Sequence, residues 1–163
     1  MSGKKFVLSF ICILVTVTTI HCSEKGRDRQ SRKEKGLFGK GRTLVTQGKY
    51  QEAIPLLQKY LKKHSAGPNA SRAQFFIGKA YIGLGNPDYA GAAFEATIQK
   101  YPRTLEAHKS FYKLGMIDFW QGRTDKARRR FAVLAQTPDG PMAPEAAAMY
   151  NYLGLANGAV RSR

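Results

Sequence analysis

Residues 77–94 read IGKAYIGLGNPDYAGAAF, and this pattern of small and large residues occurs three times in the 163-residue chain. Four sets of positions share one 37-residue step: Gly41, Gly78 and Gly115; Gly48, Gly85 and Gly122; Ala53, Ala90 and Ala127; and Leu57, Phe94 and Phe131. A fixed step of this length is typical of repeat proteins, in which each unit buries its apolar face against the next.

Each set has a physical role in a unit of two antiparallel helices. The first glycine lets the paired helices approach closely, and the alanine keeps their crossing tight. The second glycine ends the first helix, helix A, at a position that tolerates a positive φ. The large residue four positions after the alanine fills the core. The pattern therefore predicts three repeats, each with a helix A, a turn and a helix B.

The predicted fold class is all-α, a right-handed superhelical stack of three helix-turn-helix repeats with a C-terminal capping helix. The predicted A helices cover Glu34–Gln47, Arg72–Leu84 and His108–Gln121, and the predicted B helices cover Tyr50–Lys63, Asp88–Lys100 and Thr124–Ala135. The repeats fill residues 37–142, in units of about 34–70, 71–107 and 108–142. A cap over 143–158, with its helix at Glu145–Ala156 ending at Asn157-Gly158, and a basic tail over 159–163 follow.

The units resemble the tetratricopeptide repeat, which has Leu-Gly on helix A, a Gly-x-Tyr turn, and Ala then Phe on helix B before a Pro. The matching residues are Gly41, Gly48-Lys49-Tyr50 and Ala53; Ile77-Gly78, Gly85, Ala90, Phe94 and Pro102; and Leu114-Gly115, Gly122, Ala127 and Phe131. The departures are Lys40 before the first Gly, Pro87 and Thr124 for the turn Tyr, and Ser65 and Asp139 for the Pro.

The long turns between units resemble the bacterial envelope branch of this family. That branch includes the Tol-Pal-associated protein CpoB and the outer-membrane assembly lipoprotein BamD. The resemblance implies a superhelical fold whose work is to hold a protein or peptide partner. It does not identify the partner, because such arrays serve many unrelated roles.

The resemblance also implies that certain helix A positions line a concave partner-binding groove. These positions hold Lys35, Phe38, Arg42 and Val45; Arg72, Phe75, Lys79 and Ile82; and Lys109, Tyr112, Met116 and Phe119. The first column is basic and the second is aromatic in all three repeats, which suits peptides with carboxylates and apolar side chains. Two other interpretations stay open: the aromatic column forms core between repeats, and the basic column is a solvated face.

A second basic cluster lies on the third helix B. It comprises Arg123, Lys126, Arg128, Arg129 and Arg130. Around a helix these charges are predicted to cover the outer, solvated side, with binding to an anionic surface as the alternative.

The N-terminus has the layout of a secretory signal peptide over residues 1–22. Lys4 and Lys5 precede the uncharged stretch Phe6–Ile20, whose 15 residues are fewer than the roughly 20 that a membrane-spanning helix needs. Cys22 resembles the cysteine at which bacterial lipoproteins are cut and acylated, although the residues before it depart from that pattern. Lipidation of Cys22 and ordinary cleavage both stay open.

The net charge of +16 would suggest a nucleic-acid partner for an intracellular protein. Because the signal predicts export to the periplasm or the outer membrane, or secretion, no nucleic-acid partner is expected. Anionic membrane surfaces, wall polymers and acidic proteins are the expected anions. The basic linker over 23–36 is then either a soluble tether or a segment held on the membrane surface.

An enzyme is not predicted, since the three histidines, His21, His64 and His108, form no catalytic or metal-binding pattern. No cofactor and no metal are expected. The leading hypothesis is a non-enzymatic scaffold of the cell envelope in outer-membrane assembly or Tol-Pal-type function. The alternative is a basic surface binder of anionic lipid or cell-wall polymer. Self-association also stays open, because three repeats are near the minimum for a stable array.

Overall fold

A computed structural model describes residues 36–137 and 140–161, with side chains up to Gly154. The chain divides into a unit of Met1–Leu37 and a unit of Phe38–Arg163, and the description below concerns the second. The predicted signal peptide, Cys22, nearly all of the basic linker, and Lys35 lie outside the described residues. The end of the predicted basic tail, residues 162–163, lies outside them too.

The second unit is built from helix pairs, and the described residues contain no strand. The helices are α1 over 36–46, α2 Tyr50–Lys63, α3 Ala70–Gly83, α4 Pro87–Lys100, α5 Leu105–Trp120, α6 Thr124–Ala135 and α7 Ala143–Arg161. From α2 onward each helix packs on the next, and α3 also contacts α5. The predicted all-α stack is confirmed, with α1, α3 and α5 as the A helices and α2, α4 and α6 as the B helices.

In each pair, one glycine turn joins helix A to helix B, and the three turns are similar. Gly48, Gly85 and Gly122 have φ angles of 76°, 72° and 73°, a region that side chains rarely adopt. The next backbone N–H donates to a carbonyl five residues earlier, over 2.9 Å from Asn86 to Tyr81, and equivalent bonds close the other two turns. This bond satisfies a carbonyl at the helix end that would otherwise lack a partner. The predicted role of the second glycine is confirmed.

The first glycine of each repeat lies against the large residue of its helix B. A Cβ atom at Gly78 would lie 2.5 Å from the Phe94 ring, and one at Gly115 would lie 2.7 Å from Phe131. Leu57, Phe94 and Phe131 are all fully buried. The predicted close approach of the two helices, and the predicted core residues, are therefore confirmed.

Four helices begin earlier than the sequence predicted: α3 at Ala70, α4 at Pro87, α5 at Leu105 and α7 at Ala143. Before α5, the hydroxyl of Thr104 accepts a hydrogen bond from the Ala107 N–H over 3.2 Å. This N-cap satisfies one of the free donors of the first turn and so extends the helix toward its start.

The last helix, α7, continues to Arg161, beyond the predicted end at Asn157-Gly158. One glycine inside a helix costs only about 1 kcal/mol and does not by itself terminate it. Ala146 and Leu153 of α7 are buried and join the core around Phe131, so α7 covers the exposed side of α6. Within the described ranges, no helix combines the length and apolar character needed to cross a membrane.

Candidate partner-binding surface

The aromatic column of the A helices packs against the core. Phe38 is only 5% exposed, so its ring is not available to a partner. The Phe75 ring lies 5.6 Å from the Phe94 ring, and the Tyr112 ring lies 5.3 Å from the Phe131 ring. Phe75 and Tyr112 are half-buried, and their rings pack helix A against helix B.

The apolar residues at the far end of the predicted groove are also partly covered. Val45 is buried, and Ile82 is half-buried. Met116 and Phe119 pack against the core cluster that includes residues of α7. The Phe119 ring meets the Tyr152 ring edge-on at 6.2 Å. The cap therefore takes up much of the apolar surface that the third repeat was predicted to offer.

The basic column has one member that is already engaged within the protein. The Nε atom of Arg72 lies 4.0 Å from Glu106, which also accepts a hydrogen bond from the Ser71 hydroxyl over 3.3 Å. The Arg72 guanidinium lies over the Phe38 ring at 5.4 Å. Arg72 therefore contributes to the contact between α3 and α5, and its charge is already paired within the protein.

Five cations of the A helices have no carboxylate partner among the described residues; they are Lys40, Arg42, Lys79, Lys109 and Lys113, called here the A-helix cations. Arg42 and Lys79 are exposed, and the Lys79 ammonium lies 5.5 Å from the centre of the Phe76 ring. Lys113 is half-buried, and its pKa is lowered first by that burial and then by the positive charge of Lys79. Uncompensated positive charge therefore concentrates between α3 and α5.

Lys113 was missing from the predicted groove. It lies 37 residues after Phe76, so the register places a cation in α5 where α3 carries a ring. A comparison of the repeats at this column would have found it.

A buried carboxylate lies on α5. The Asp118 side chain is 3% exposed, and it contacts Arg123 at 2.7 Å, Lys126 at 3.6 Å and Arg130 at 2.8 Å. Burial alone would raise the pKa of Asp118, but the hydrogen bonds and charges of these cations hold it below its usual value. A cavity of about 230 Å³ lies beside this cluster, between α4, α5 and α6.

The prediction that the basic cluster of α6 is a solvated outer face is wrong for Arg130, whose side chain is 19% exposed; Arg123 and Lys126 remain about half exposed, although all three cations contact Asp118. They turn back toward α5 because Asp118 would otherwise be buried without a counter-charge. Asp118 and Lys126 lie 37 residues after Tyr81 and Tyr89, whose rings stack at 5.4 Å. The same pair of positions thus holds two rings in the second repeat and an ion pair in the third.

The described ranges contain no group of three or more His, Cys, Asp or Glu side chains that could hold a metal ion. The His108 ring nitrogen Nδ1 lies 3.0 Å from the Thr104 carbonyl oxygen, and Asp118 is paired with arginine.

Comparison with known proteins agrees with this architecture. Two sequence models, both described as tetratricopeptide repeat, match residues 38–103 and 109–139. A crystal structure of a variant of nearly identical TPR-like repeats, from a Podosopora anserina protein assigned as a kinesin light chain, is similar with a TM-score of 0.57 at 18% identity. The alignment covers 80% of this chain and 69% of that chain, and it supports the fold alone. No curated protein sequence matches the chain. The two sequence matches, the glycine register and the helix pairs together show that residues 38–139 of this chain are tetratricopeptide repeats.

Proposed function

We propose that this chain is a non-enzymatic scaffold that binds an acidic segment of a partner protein across the A helices. The observation that carries the proposal is Lys113, a half-buried ammonium group beside Lys79 with no carboxylate partner among the described residues. A carboxylate between these two lysines would relieve their mutual repulsion and replace the water that Lys113 has lost.

The apolar part of the surface is smaller than the sequence predicted. Phe76 and Met116 are half-buried, and both stay next to the lysines in the helical register. Rings and thioethers that keep some exposure provide contact area, whereas fully buried Phe38 does not. The proposed partner segment is therefore mainly acidic, with few large apolar anchors.

We also propose a place for the protein in the bacterial cell envelope, in outer-membrane assembly or Tol-Pal-type function. Two features support this proposal: the signal-like N-terminus, with Cys22 as a possible lipid anchor, and the resemblance of the long turns to the envelope branch. Self-association and contact with an anionic membrane belong to the same proposal. Sedimentation of the purified chain tests the first, and lipid analysis of the N-terminus tests whether Cys22 is acylated.

Site-directed photocrosslinking in the source cells tests the groove. A photoreactive phenylalanine analogue at position 76, next to the two lysines, is expected to crosslink to a discrete partner, whose crosslinked peptide is rich in Asp and Glu. The same probe at position 59, an exposed position of α2, is the matched control. Crosslinks of equal yield at position 59, or none at position 76, would overturn the proposal.

The double variant Lys79→Gln, Lys113→Gln provides the affinity test with the partner thus found. Each lost charge-assisted hydrogen bond is expected to weaken binding by about tenfold. Phe75→Ala and Tyr112→Ala are poor tests, because both rings pack on the core and their loss would lower stability. If the double variant binds normally while any loss of basic charge weakens attachment to anionic vesicles, the chain is the basic surface binder instead.

A further inference from the structure

Two arginines of α6 do not join the Asp118 cluster. Arg128 and Arg129 have no ion-pair partner within the part of the chain that the structure describes, whereas Arg123, Lys126 and Arg130 all do. Among the described residues, no ion pair therefore balances their charge at the junction of α6 and α7.

Arg128 is held in place across this junction. Its Cζ atom lies 4.8 Å above the Tyr150 ring, and its Nη2 atom donates a hydrogen bond to the Tyr150 hydroxyl over 3.3 Å. Its Nε atom is buried and has no hydrogen-bond partner. A guanidinium that is stacked on a ring and partly removed from water lacks the counter-charge that usually accompanies such burial.

A cavity of about 240 Å³ opens beside these groups. Its lining residues are Asp125, Arg128, Arg129, Ala132 and Tyr150. The space is larger than one water molecule occupies and is sufficient for a small anion.

The equivalent junction of the second repeat has a different character. The positions 37 residues before Arg128, Arg129 and Ala132 are Gly91, Ala92 and Glu95. There the carboxylate of Glu95 lies 4.0 Å from Arg130. The third repeat thus has arginines in place of two small residues and Ala132 in place of Glu95, while Asp125 matches Asp88 of the second repeat. The additional positive charge therefore belongs to this junction and not to the repeat in general.

We infer that the cavity between α6 and α7 is a binding site for a phosphate group. Two guanidinium groups and the Tyr150 hydroxyl surround it with donors, which match the several oxygens of a phosphate better than a single ammonium would. The site is separate from the A-helix cations, and its occupancy does not depend on a protein partner there. Asp125 also lines the cavity, without an ion pair to either arginine, and its charge opposes the anion.

The test is a titration of the full chain with glycerol 1-phosphate at constant ionic strength, with sodium chloride as the balancing salt. Binding is followed by calorimetry and by the NMR shifts of α6 and α7. Arg129→Gln, at an exposed position, is expected to weaken binding by about tenfold, the factor for one charge-assisted hydrogen bond. Arg128→Lys is expected to weaken it as well, because lysine keeps the charge but not the planar fork.

Two further variants test whether phosphate binding depends on charges at this cavity and not on the charge of the whole protein. Lys59→Gln, which removes one exposed charge from α2, is expected to leave binding unchanged. Asp125→Asn removes the opposing charge from the lining and is expected to strengthen binding. Equal weakening by Lys59→Gln, equal binding of acetate, or no saturable binding to either the phosphomonoester or phosphate-bearing vesicles would each overturn the inference.

The source of the phosphate is decided by a parallel arm. Vesicles of phosphatidylglycerol in phosphatidylcholine replace the soluble phosphomonoester, with the same variants. Binding to the phosphomonoester but not to the vesicles, lost in Arg129→Gln, supports the site and indicates a free phosphate group. Binding to both, lost in Arg129→Gln, supports the site and shows that either source can occupy it. Loss of binding to the vesicles alone, with no soluble binding in the parent chain, supports the site as one for lipid headgroups.

Discussion

The Nε atom of Arg130 on α6 lies 2.8 Å from Oδ2 of Asp118 on α5, so a charged bond crosses the interface between the helices of the third repeat. Both side chains are shielded from water, with 3% of Asp118 and 19% of Arg130 exposed. Arg123 reaches the same carboxylate from the glycine turn. The third repeat is thereby closed by polar contacts where the second uses stacked rings.

Replacing Asp118 by Asn is expected to lower the free energy of unfolding by about 2 kcal/mol, because Arg130, with a side chain 19% exposed, loses its nearest counter-charge and keeps only Glu95 at 4.0 Å. Urea unfolding measures the change. Asp125→Asn, which removes an exposed carboxylate two residues after Arg123, is the matched control and is expected to stay within about 0.5 kcal/mol of the parent. Equal effects of the two substitutions on the free energy of unfolding would show that the Asp118 ion pairs contribute no more to stability than an exposed carboxylate does.

Acid should destabilise the protein through the same residue. The pKa of Asp118 is lower in the folded chain than in the unfolded one, where it is about 3.9. Its contribution is therefore fully present above that unfolded value, and it is lost as the pH falls through the lower, folded pKa. Urea unfolding of the parent and of Asp118→Asn at pH 7, 4 and 3 should show the difference between them shrinking only in the acid range. A constant difference would contradict this account.

Gly115→Ala is expected to lower stability by about 1–3 kcal/mol, as overpacking does. The new methyl group would lie 2.7 Å from the Phe131 ring, which is fully buried and has no free space to move into. The control is Gly39→Ala in α1, where nothing lies within 4 Å of the new atom. There the better helix propensity of alanine should raise stability by up to about 1 kcal/mol. Thermal unfolding of both variants tests whether close approach, rather than helix propensity, decides the sign.

Lys113→Gln should stabilise the unbound protein slightly, by about 0.5 kcal/mol, a typical size for a screened charge interaction. The pKa of Lys113 is lowered in the folded state, so its charged form costs stability at pH 7. That cost disappears as the pH rises above the folded pKa toward the unfolded value of about 10.4. Thermal unfolding at pH 7 and pH 10 should show the advantage of the variant narrowing. Lys62→Gln, at an exposed position of α2, should show no such trend.

The sequence predicts the fold well because the glycine and alanine columns report backbone geometry directly. A glycine in a positive-φ turn and a glycine packed against a neighbouring ring can each be replaced only with strain. Their spacing therefore predicts where the helices end and where they pack closely. The bounds of α2 and α6 agree with the prediction for the same reason, since each helix begins directly after a glycine turn.

The surface was harder to predict. Residues of one type at equivalent repeat positions can have different neighbours, and the sequence does not show which residue each one contacts. Phe38 and Arg72 occupy predicted groove positions, but one is buried and the other is bound to Glu106. Asp118 escaped notice because its three partners are close in sequence to one another and look like a solvated stripe. Only the contact between α5 and α6 shows that they converge.

The glycine turns separate the architecture of this chain from its side-chain variation. Each turn is closed by backbone atoms alone, and no side chain caps the following helix at Lys49, Asn86 or Arg123. The residue after the glycine can therefore drift without loss of the bend. In the third repeat that position holds Arg123, which donates a hydrogen bond to Asp118. Repeats with the same backbone turn can thus differ in the side-chain contacts that hold helix A to helix B. A new contact of this kind could be introduced at Asn86 without a change in the turn.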